Sequence, residues 1–350
     1  MEDYKLSACS ITNIPSLTDS VESAGLWERR QEHVRRAWRE LLGTPPASYL
    51  PARPGDEISF EVVEETAESD HRRLDIRYRT NHGETLYAYL LVPLQEPPLP
   101  GGKYPAVLAL HPTTAEGRAD VATPQGGREN RRYGLELASR GYVVLAPDSI
   151  AFGNRIDPGT EPFQTAPFYE RYPGWTAVGK MLDDHIAALN LLAALPEVDE
   201  GRMGAIGHSL GGYNAWFLAG MDRRIKAAAS SCGFSMFTDD PDPYRWGQRE
   251  WFSHFPALTE LLKADRIPFE WHEIAALALP TPMFMWSGIS DRIFPNWATI
   301  AVGMTELDRL YRKDASPEAF EFWMGPSGHD FPPRARKLAY EFLDRWLKSS

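Results

Sequence analysis

The stretch AIGHSLGG, residues 205–212, decides how this chain is read. A short apolar run, RMGAIG (202–207), leads into it, and a helical segment, LGGYNAWFLAG (210–220), leads out. Ser209 therefore sits on a bend between a strand and a helix, with Gly207 two residues before it and Gly211 two after. A tight strand-to-helix turn forces the residue at its tip into a strained backbone conformation and pushes its side chain outward. The positions on either side are crowded by neighbouring backbone, and glycine fits there because it has no Cβ. The helix that follows begins with unpaired N–H groups, which hold negative charge.

Outward from this bend, strands and helices alternate. Before it come YPAVLALHP (104–112) and YVVLAPD (142–148), continuous apolar runs suited to burial on both faces. They are separated from each other and from the bend by helical segments at 129–141 and 178–195. After it come IKAAASSC (225–232), PTPMFMWSG (280–288) and AFEFWMG (319–325), with helices at 298–312 and 333–347. Leu338, Phe342 and Trp346 are expected on the inner face of the last helix. This pattern predicts a mostly parallel sheet with helices on both faces. Ahead of it, EISFEVVEE, RRLDIRYRT and ETLYAYLLVP alternate in the strand period, with a turn at NHGE, and predict an antiparallel start to the sheet.

The expected organisation is an N-terminal helical extension over 1–50 and one larger domain over 51–350 that carries the bend at Ser209. In the extension, 26–43 places Trp27, Val34, Trp38 and Leu41 near one face of a helix, with Gly43 as its stop. Its other face interleaves Arg with Glu, which reads as a solvated surface rather than a membrane or RNA contact. Two long connections, about 149–176 and 234–279, are rich in Trp, Tyr, Phe and Pro and are expected to be lid-like insertions.

Composition narrows the class of protein. The chain has 350 residues and a formal net charge of −11, without the basic stripe of a nucleic-acid binder. Cys9 and Cys232 read as free thiols in a reducing compartment, and two cysteines cannot build a structural zinc site unaided. No run is long enough to span a bilayer and no leader is visible, so the default expectation is the cytoplasm. No nucleic-acid, membrane or cofactor partner is expected; a homo-oligomer is left open.

A serine hydroxyl is a weak nucleophile at neutral pH unless a base takes its proton and an acid orients that base. Asp291, in SGISDRIFP, and His329, in GPSGHDF, each follow a predicted strand, in the order Ser, Asp, His. Asp330 is an alternative acid, but it adjoins the histidine and is poorly placed for the inner ring nitrogen. His111, His185, His208 and His272 are alternative bases; His208 is expected to point away from Ser209, and His185 to pack inside a helix. Oxyanion donors are expected from the backbone N–H of Leu210 and of Thr113, since Pro112 has none.

At this point LALHPTT, RGYVVLAPDSIAFGNR, GAIGHSLGG, SGISDRIFP and GPSGHDF together resemble an α/β-hydrolase of the dienelactone hydrolase, acetyl xylan esterase and prolyl-oligopeptidase group, over roughly 57–347. The resemblance matches Ser209, Asp291 and His329 to the nucleophile, acid and base. Dienelactone hydrolase itself carries a cysteine nucleophile where this chain has Ser209, which points to ordinary esters. Prolyl oligopeptidases carry a large propeller for which this chain has no room. Glucuronoyl esterases carry an arginine where this chain has Leu210. The expectation is a serine carboxylic-ester hydrolase acting on small or short-chain esters such as acetylated sugars. A peptidase or amidase with the same triad, or a binding protein on the same fold, are the alternatives. His111 and Trp246 are the expected substrate contacts. Arg155, Arg245 and Arg249 are candidate carboxylate anchors that compete with ordinary ion pairing. Asp183, Asp184 and His185 point different ways on a helix, and no metal is expected.

Overall fold

The computed structural model describes residues 3–18 and 26–349; residues 1–2 and 19–25 of the expected N-terminal extension, and Ser350, lie outside the described residues. The main sheet has nine strands: β1 (Phe60–Ala67), β2 (His71–Arg79), β3 (Thr85–Pro93), β4 (Tyr104–Leu110), β5 (Val143–Pro147), β6 (Val198–His208), β7 (Ile225–Ser231), β8 (Met283–Gly288) and β9 (Phe320–Gly325). Their order across the sheet is β9-β8-β7-β6-β4-β5-β3-β2-β1. The pairs from β9 through to β5 are parallel, and β3, β2 and β1 close the other side antiparallel. The β-branched and alanine-rich central strands are buried along their whole length at β4, β5 and β8. β1 is an exposed edge, which suits its three glutamates and the irregular register between Val62 and Glu64.

Helices cover both faces. α1 (Leu26–Leu42), α3 (Ala177–Ala194), α4 (Leu210–Met221) and α5 (Trp297–Asp314) share one apolar cluster that includes Val34, Leu189, Phe217 and Leu307. α2 (Tyr133–Ser139) and α6 (Pro333–Leu347) pack on the opposite face through Leu137 and Leu343. The buried stripe of α6 is Ala335, Ala339, Phe342, Leu343 and Leu347; Leu338 and Trp346 lie at its flank, half-buried. The stripe is therefore rotated from the one read in the sequence, because small alanines let the helix approach the sheet closely.

The two long connections hold structure that periodicity does not reveal. The first contains a helix at Ala166–Arg171, and the second contains helices at Pro256–Lys263 and Trp271–Ala276. Each is under three turns, too short for an amphipathic period to show. Proline occupies the first turn of two of them, where its missing N–H costs nothing. Phe252 and Trp271 of the second connection are core, each 1% exposed, whereas Tyr244 is 42% exposed.

The N-terminal segment is stitched to the second connection. Tyr4–Lys5 pairs antiparallel with Arg266–Ile267. The buried Arg30 binds Glu273 at 2.8 Å and the Pro268 carbonyl at 2.8 Å. Trp38 packs into an aromatic cluster, with ring centroids 4.7 Å from Phe217, 5.6 Å from Phe255 and 6.5 Å from Trp271. Helix α1 thus joins α4, which follows the bend at Ser209, to the connection over 234–279. Trp38→Ala is expected to destabilise the protein by about 3–5 kcal/mol through the cavity it leaves, measured as a shift in the urea unfolding midpoint.

Candidate active site

The turn at the end of β6 is built from backbone contact. Ser209 has φ +54° and ψ −117°, a region that L-residues rarely occupy. A Cβ on Gly207 would lie 2.2 Å from the Gly211 carbonyl carbon, and one on Gly211 would lie 1.9 Å from the Leu110 oxygen. Strand β4, strand β6 and helix α4 therefore touch through main chain alone. The Ser209 N–H donates to the Ser231 carbonyl at 2.8 Å, tying the turn to the end of β7. Leu210 opens α4, so its N–H has no partner within the helix.

Asp291 and His329 come from the loops after β8 and β9. These loops are locked together: the Ile289 N–H donates to the Gly325 carbonyl at 2.8 Å and the Ser290 N–H to the Ser327 carbonyl at 3.1 Å. Gly288 is required here, since a Cβ would sit 2.3 Å from the Ser327 oxygen. His329 Nδ1 lies 2.7 Å from Asp291 Oδ2. The other carboxylate oxygen accepts the backbone N–H groups of Ile293, at 2.7 Å, and Phe294, at 3.1 Å. The Asp291 side chain is 3% exposed and that of His329 21%. Asp330 faces away, paired with Arg131 at 2.6 Å and Asn130 at 2.7 Å. Burial pushes its carboxyl up, but the Arg131 guanidinium overrides this and holds it below the ordinary value.

A cavity of about 310 Å³ opens at these strand ends. Ser209, His329 and Thr113 all line it, as do Trp246, Tyr213 and His254. His208 lines it as well, its ring centroid 4.9 Å from that of His329. Burial first, then Arg131 and His329, drive the His208 pKa well below its ordinary value, so its ring is neutral; its Nδ1 meets Ser231 Oγ at 3.0 Å.

His111 lies outside the cavity wall. It is 1% exposed, its Nδ1 donates to the Pro112 carbonyl at 2.7 Å and its Nε2 accepts the Ser149 N–H at 3.0 Å. With both nitrogens engaged it has nothing to offer a substrate, and it braces the loop that carries Thr113. That loop is held again by Asp148, which ion-pairs with Arg118 and accepts the N–H groups of Arg118, at 2.7 Å, and Asn154, at 2.9 Å.

Of the candidate carboxylate anchors, Arg155 is committed elsewhere. It pairs with Asp184 at 2.6 Å and Glu84 at 2.6 Å, and Lys180 joins the same buried network. Asp183 faces away from it, accepting from Tyr49 OH at 2.8 Å and the Ala52 N–H at 2.7 Å; burial and then Asp184 push its carboxyl up to about 6. His185 is buried without a ring partner among the described residues, and burial lowers its pKa to about 3. Arg245 pairs with Asp240 at 2.8 Å, and Arg249 lies 4.1 Å over the Trp251 ring. Arg245 and Arg249 line the cavity together with Arg128 and Arg131, two residues that sequence reading did not single out. Their signal was weak: Arg128 sits in the polar stretch QGGR (125–128), and Arg131 at the start of the segment read as a helix over 129–141, where nothing marks it as facing a cavity. The lid expectation also changes in detail. Connection 234–279 supplies cavity wall, whereas 149–176 backs it, with Phe163 6.0 Å from Trp251 and the Ser253 N–H donating to Thr165 Oγ1 at 3.0 Å.

Sheet order, turn and strand-end cavity are those of the α/β-hydrolase fold. Residues 123–246 match the Dienelactone hydrolase family, a segment that holds Ser209 and stops before Asp291 and His329. The chain is 26% identical over 325 residues to the Bacillus subtilis (strain 168) protein YtaP, whose name designates a hydrolase provisionally; the match covers 91% of this chain and 99% of YtaP. Among solved structures, a glucuronoyl esterase from Solibacter usitatus superposes with a TM-score of 0.67 at 18% identity, covering 95% of this chain and 97% of that one. An acetyl xylan esterase from Paenibacillus sp. R4 gives 0.59 at 18% identity, covering 96% and 98%. These two likenesses establish the fold.

The buried network around Arg155 carries a pH signature. Burial raises the Glu84 carboxyl, but Arg155 and Lys180 outweigh it and bring it down to about 2. A lowered carboxyl contributes stability above its ordinary pKa, near 4.5, and loses it as pH falls toward the folded value. Glu84→Gln should therefore lower Tm at pH 7, and the gap to the wild type should shrink between about pH 5 and pH 2, as read by thermal unfolding across that range.

Proposed function

We propose that this protein is a serine carboxylic-ester hydrolase with Ser209 as nucleophile, His329 as base and Asp291 as orienting acid. The observation that carries the reading is the 2.7 Å contact between His329 Nδ1 and Asp291 Oδ2 at the wall of a cavity that Ser209 also lines. With Nδ1 holding its proton toward the carboxylate, Nε2 is left with the lone pair that takes the serine proton. Ser209 then attacks the ester carbonyl. The N–H groups of Leu210 and Thr113 stabilise the oxyanion. His329 returns the proton to the leaving alcohol, and water, activated by the same ring, cleaves the acyl-enzyme. The esterase names of the structural neighbours support ester over amide chemistry.

The cavity, about 310 Å³, suits small esters such as acetylated sugars. Its charge adds a preference. Four arginines line it, and no lining residue is a carboxylate. Arg131 and Arg245 are paired with Asp330 and Asp240, but neither Arg128 nor Arg249 closes an ion pair with a described residue. In a chain of net charge −11, this local excess favours a substrate that bears a carboxylate near the scissile ester.

Ser209→Ala is expected to fold normally and to lose kcat on the order of 10⁶-fold with p-nitrophenyl acetate. Undiminished turnover would assign the chain to the binding-protein alternative. Arg249→Met is expected to raise KM for a p-nitrophenyl hemisuccinate roughly tenfold to a hundredfold, with little change for the neutral acetate. Steady-state kinetics on the two substrates side by side measures this.

A further inference from the structure

Cys232 is a buried thiol beside the site that the reaction above does not use. It follows β7 directly, with φ +45°, a strained conformation for a residue with a Cβ. Its N–H donates to the Trp286 carbonyl at 2.7 Å, and its Sγ donates to the Asp330 carbonyl at 3.4 Å. These contacts bring the thiol to the inner side of the Asp291–His329 pair. A Cys232 Sγ, an Asp291 carboxylate oxygen and a His329 ring nitrogen lie within 4.8 Å of one another. Among the described residues this is the one place where three such donors converge.

We propose that Cys232, Asp291 and His329 form an inhibitory site for a thiophilic divalent cation, zinc or cadmium, which disables the triad. Sulfur, imidazole nitrogen and carboxylate oxygen are the donors that zinc takes, and three protein ligands leave its fourth position for water. Zinc bonds of 2.0–2.3 Å require donors roughly 3.3–3.8 Å apart in a tetrahedral site. The widest of the three separations therefore closes by about an ångström, while Asp291 Oδ2 and His329 Nδ1, 2.7 Å apart, open by roughly half an ångström to admit the cation, within reach of a rotation of the His329 ring. That ring is partly exposed to the cavity, which provides the entry path. Arg131 and Arg128, also on the cavity wall, limit affinity for a cation, so inhibition is reversible rather than permanent.

The chemistry is a ligand exchange without redox change. The S–H bond breaks, the proton leaves to solvent and a sulfur–metal bond forms. Asp291 turns its oxygen from the ring to the cation. His329 coordinates through Nδ1, and the proton displaced from there is replaced by one on Nε2. Net release is one proton per cation. The ring nitrogen that faces Ser209 then carries hydrogen and has no lone pair with which to accept the serine proton.

The inhibitory consequence rests on the esterase reading; the binding site does not, and the experiment separates them. Cadmium chloride is titrated into the chelator-free Cys9→Ser protein, reading the ultraviolet thiolate-to-cadmium absorption band and p-nitrophenyl acetate hydrolysis in parallel. The expected result is a band that saturates at one equivalent, with hydrolysis lost over the same titration and restored by EDTA. Zinc chloride should inhibit likewise. Cys232→Ser, and Cys232→Ala as a second variant, should show no band, need at least tenfold more cation for inhibition and keep their metal-free kcat. A saturating band in a protein that hydrolyses no ester in the absence of metal would uphold the site and overturn the esterase reading. Absence of the band in the Cys9→Ser protein overturns the proposal without recourse to any Cys232 variant. Equal inhibition of wild type and both Cys232 variants also overturns it.

Discussion

The contact of bare backbone at Gly207, Gly211 and Leu110 is the constraint on which the rest of the site depends. At 1.9–2.2 Å from where a Cβ would stand, neighbouring main chain excludes any side chain at the two glycines. That closeness presses α4 onto β4 and β6 and leaves Ser209 no conformation but a left-handed one. The strain is held in place because the helix behind the turn is buried on nearly every side, with Tyr213, Trp216 and Phe217 each under 5% exposed. A helix apolar all round has nowhere to rotate, so the direction of the serine is set by core packing rather than by local hydrogen bonds.

The remaining parts of the site are referred to this turn through buried polar groups. His111 and the Asp148–Arg118 pair link the loop after β4 to the loop after β5, so Thr113 is fixed relative to Ser209 by groups that never face the cavity. Arg155, Asp184, Glu84 and Lys180 bind the first long connection to α3 and β3. An uncompensated charge at such depth would be costly, so each member holds the others in register. On the arginine-rich wall of the cavity, Arg131 and Arg245 are answered by Asp330 and Asp240, whereas Arg128 and Arg249 close no ion pair with a described residue.

The strand assignments were legible in the sequence because period and apolar run length are local properties. All nine strands of the main sheet fall on segments recognisable from alternation or continuous burial, and the helices α1 and α3–α6 on segments with an amphipathic or uniformly apolar pattern. What was missed was short or rotated. The helices at 166–171, 256–263 and 271–276 are too brief for a period to show. The inner face of α6 depends on how closely alanine allows it to approach the sheet.

By itself, the sequence determined the order of strands and helices, the bend at Ser209 and the three strand ends at which Ser209, Asp291 and His329 stand. Glycine spacing and apolar runs encode these through local sterics. Only the tertiary structure decided the withdrawal of His111 from the cavity and the gathering of Arg128, Arg131, Arg245 and Arg249 on one wall. Cys232 reached Asp291 and His329 in the same way, across strands that are neighbours only in space. Such choices depend on distances between residues far apart in the chain. Those distances are set by sheet register and by the packing of a core that no window of sequence contains.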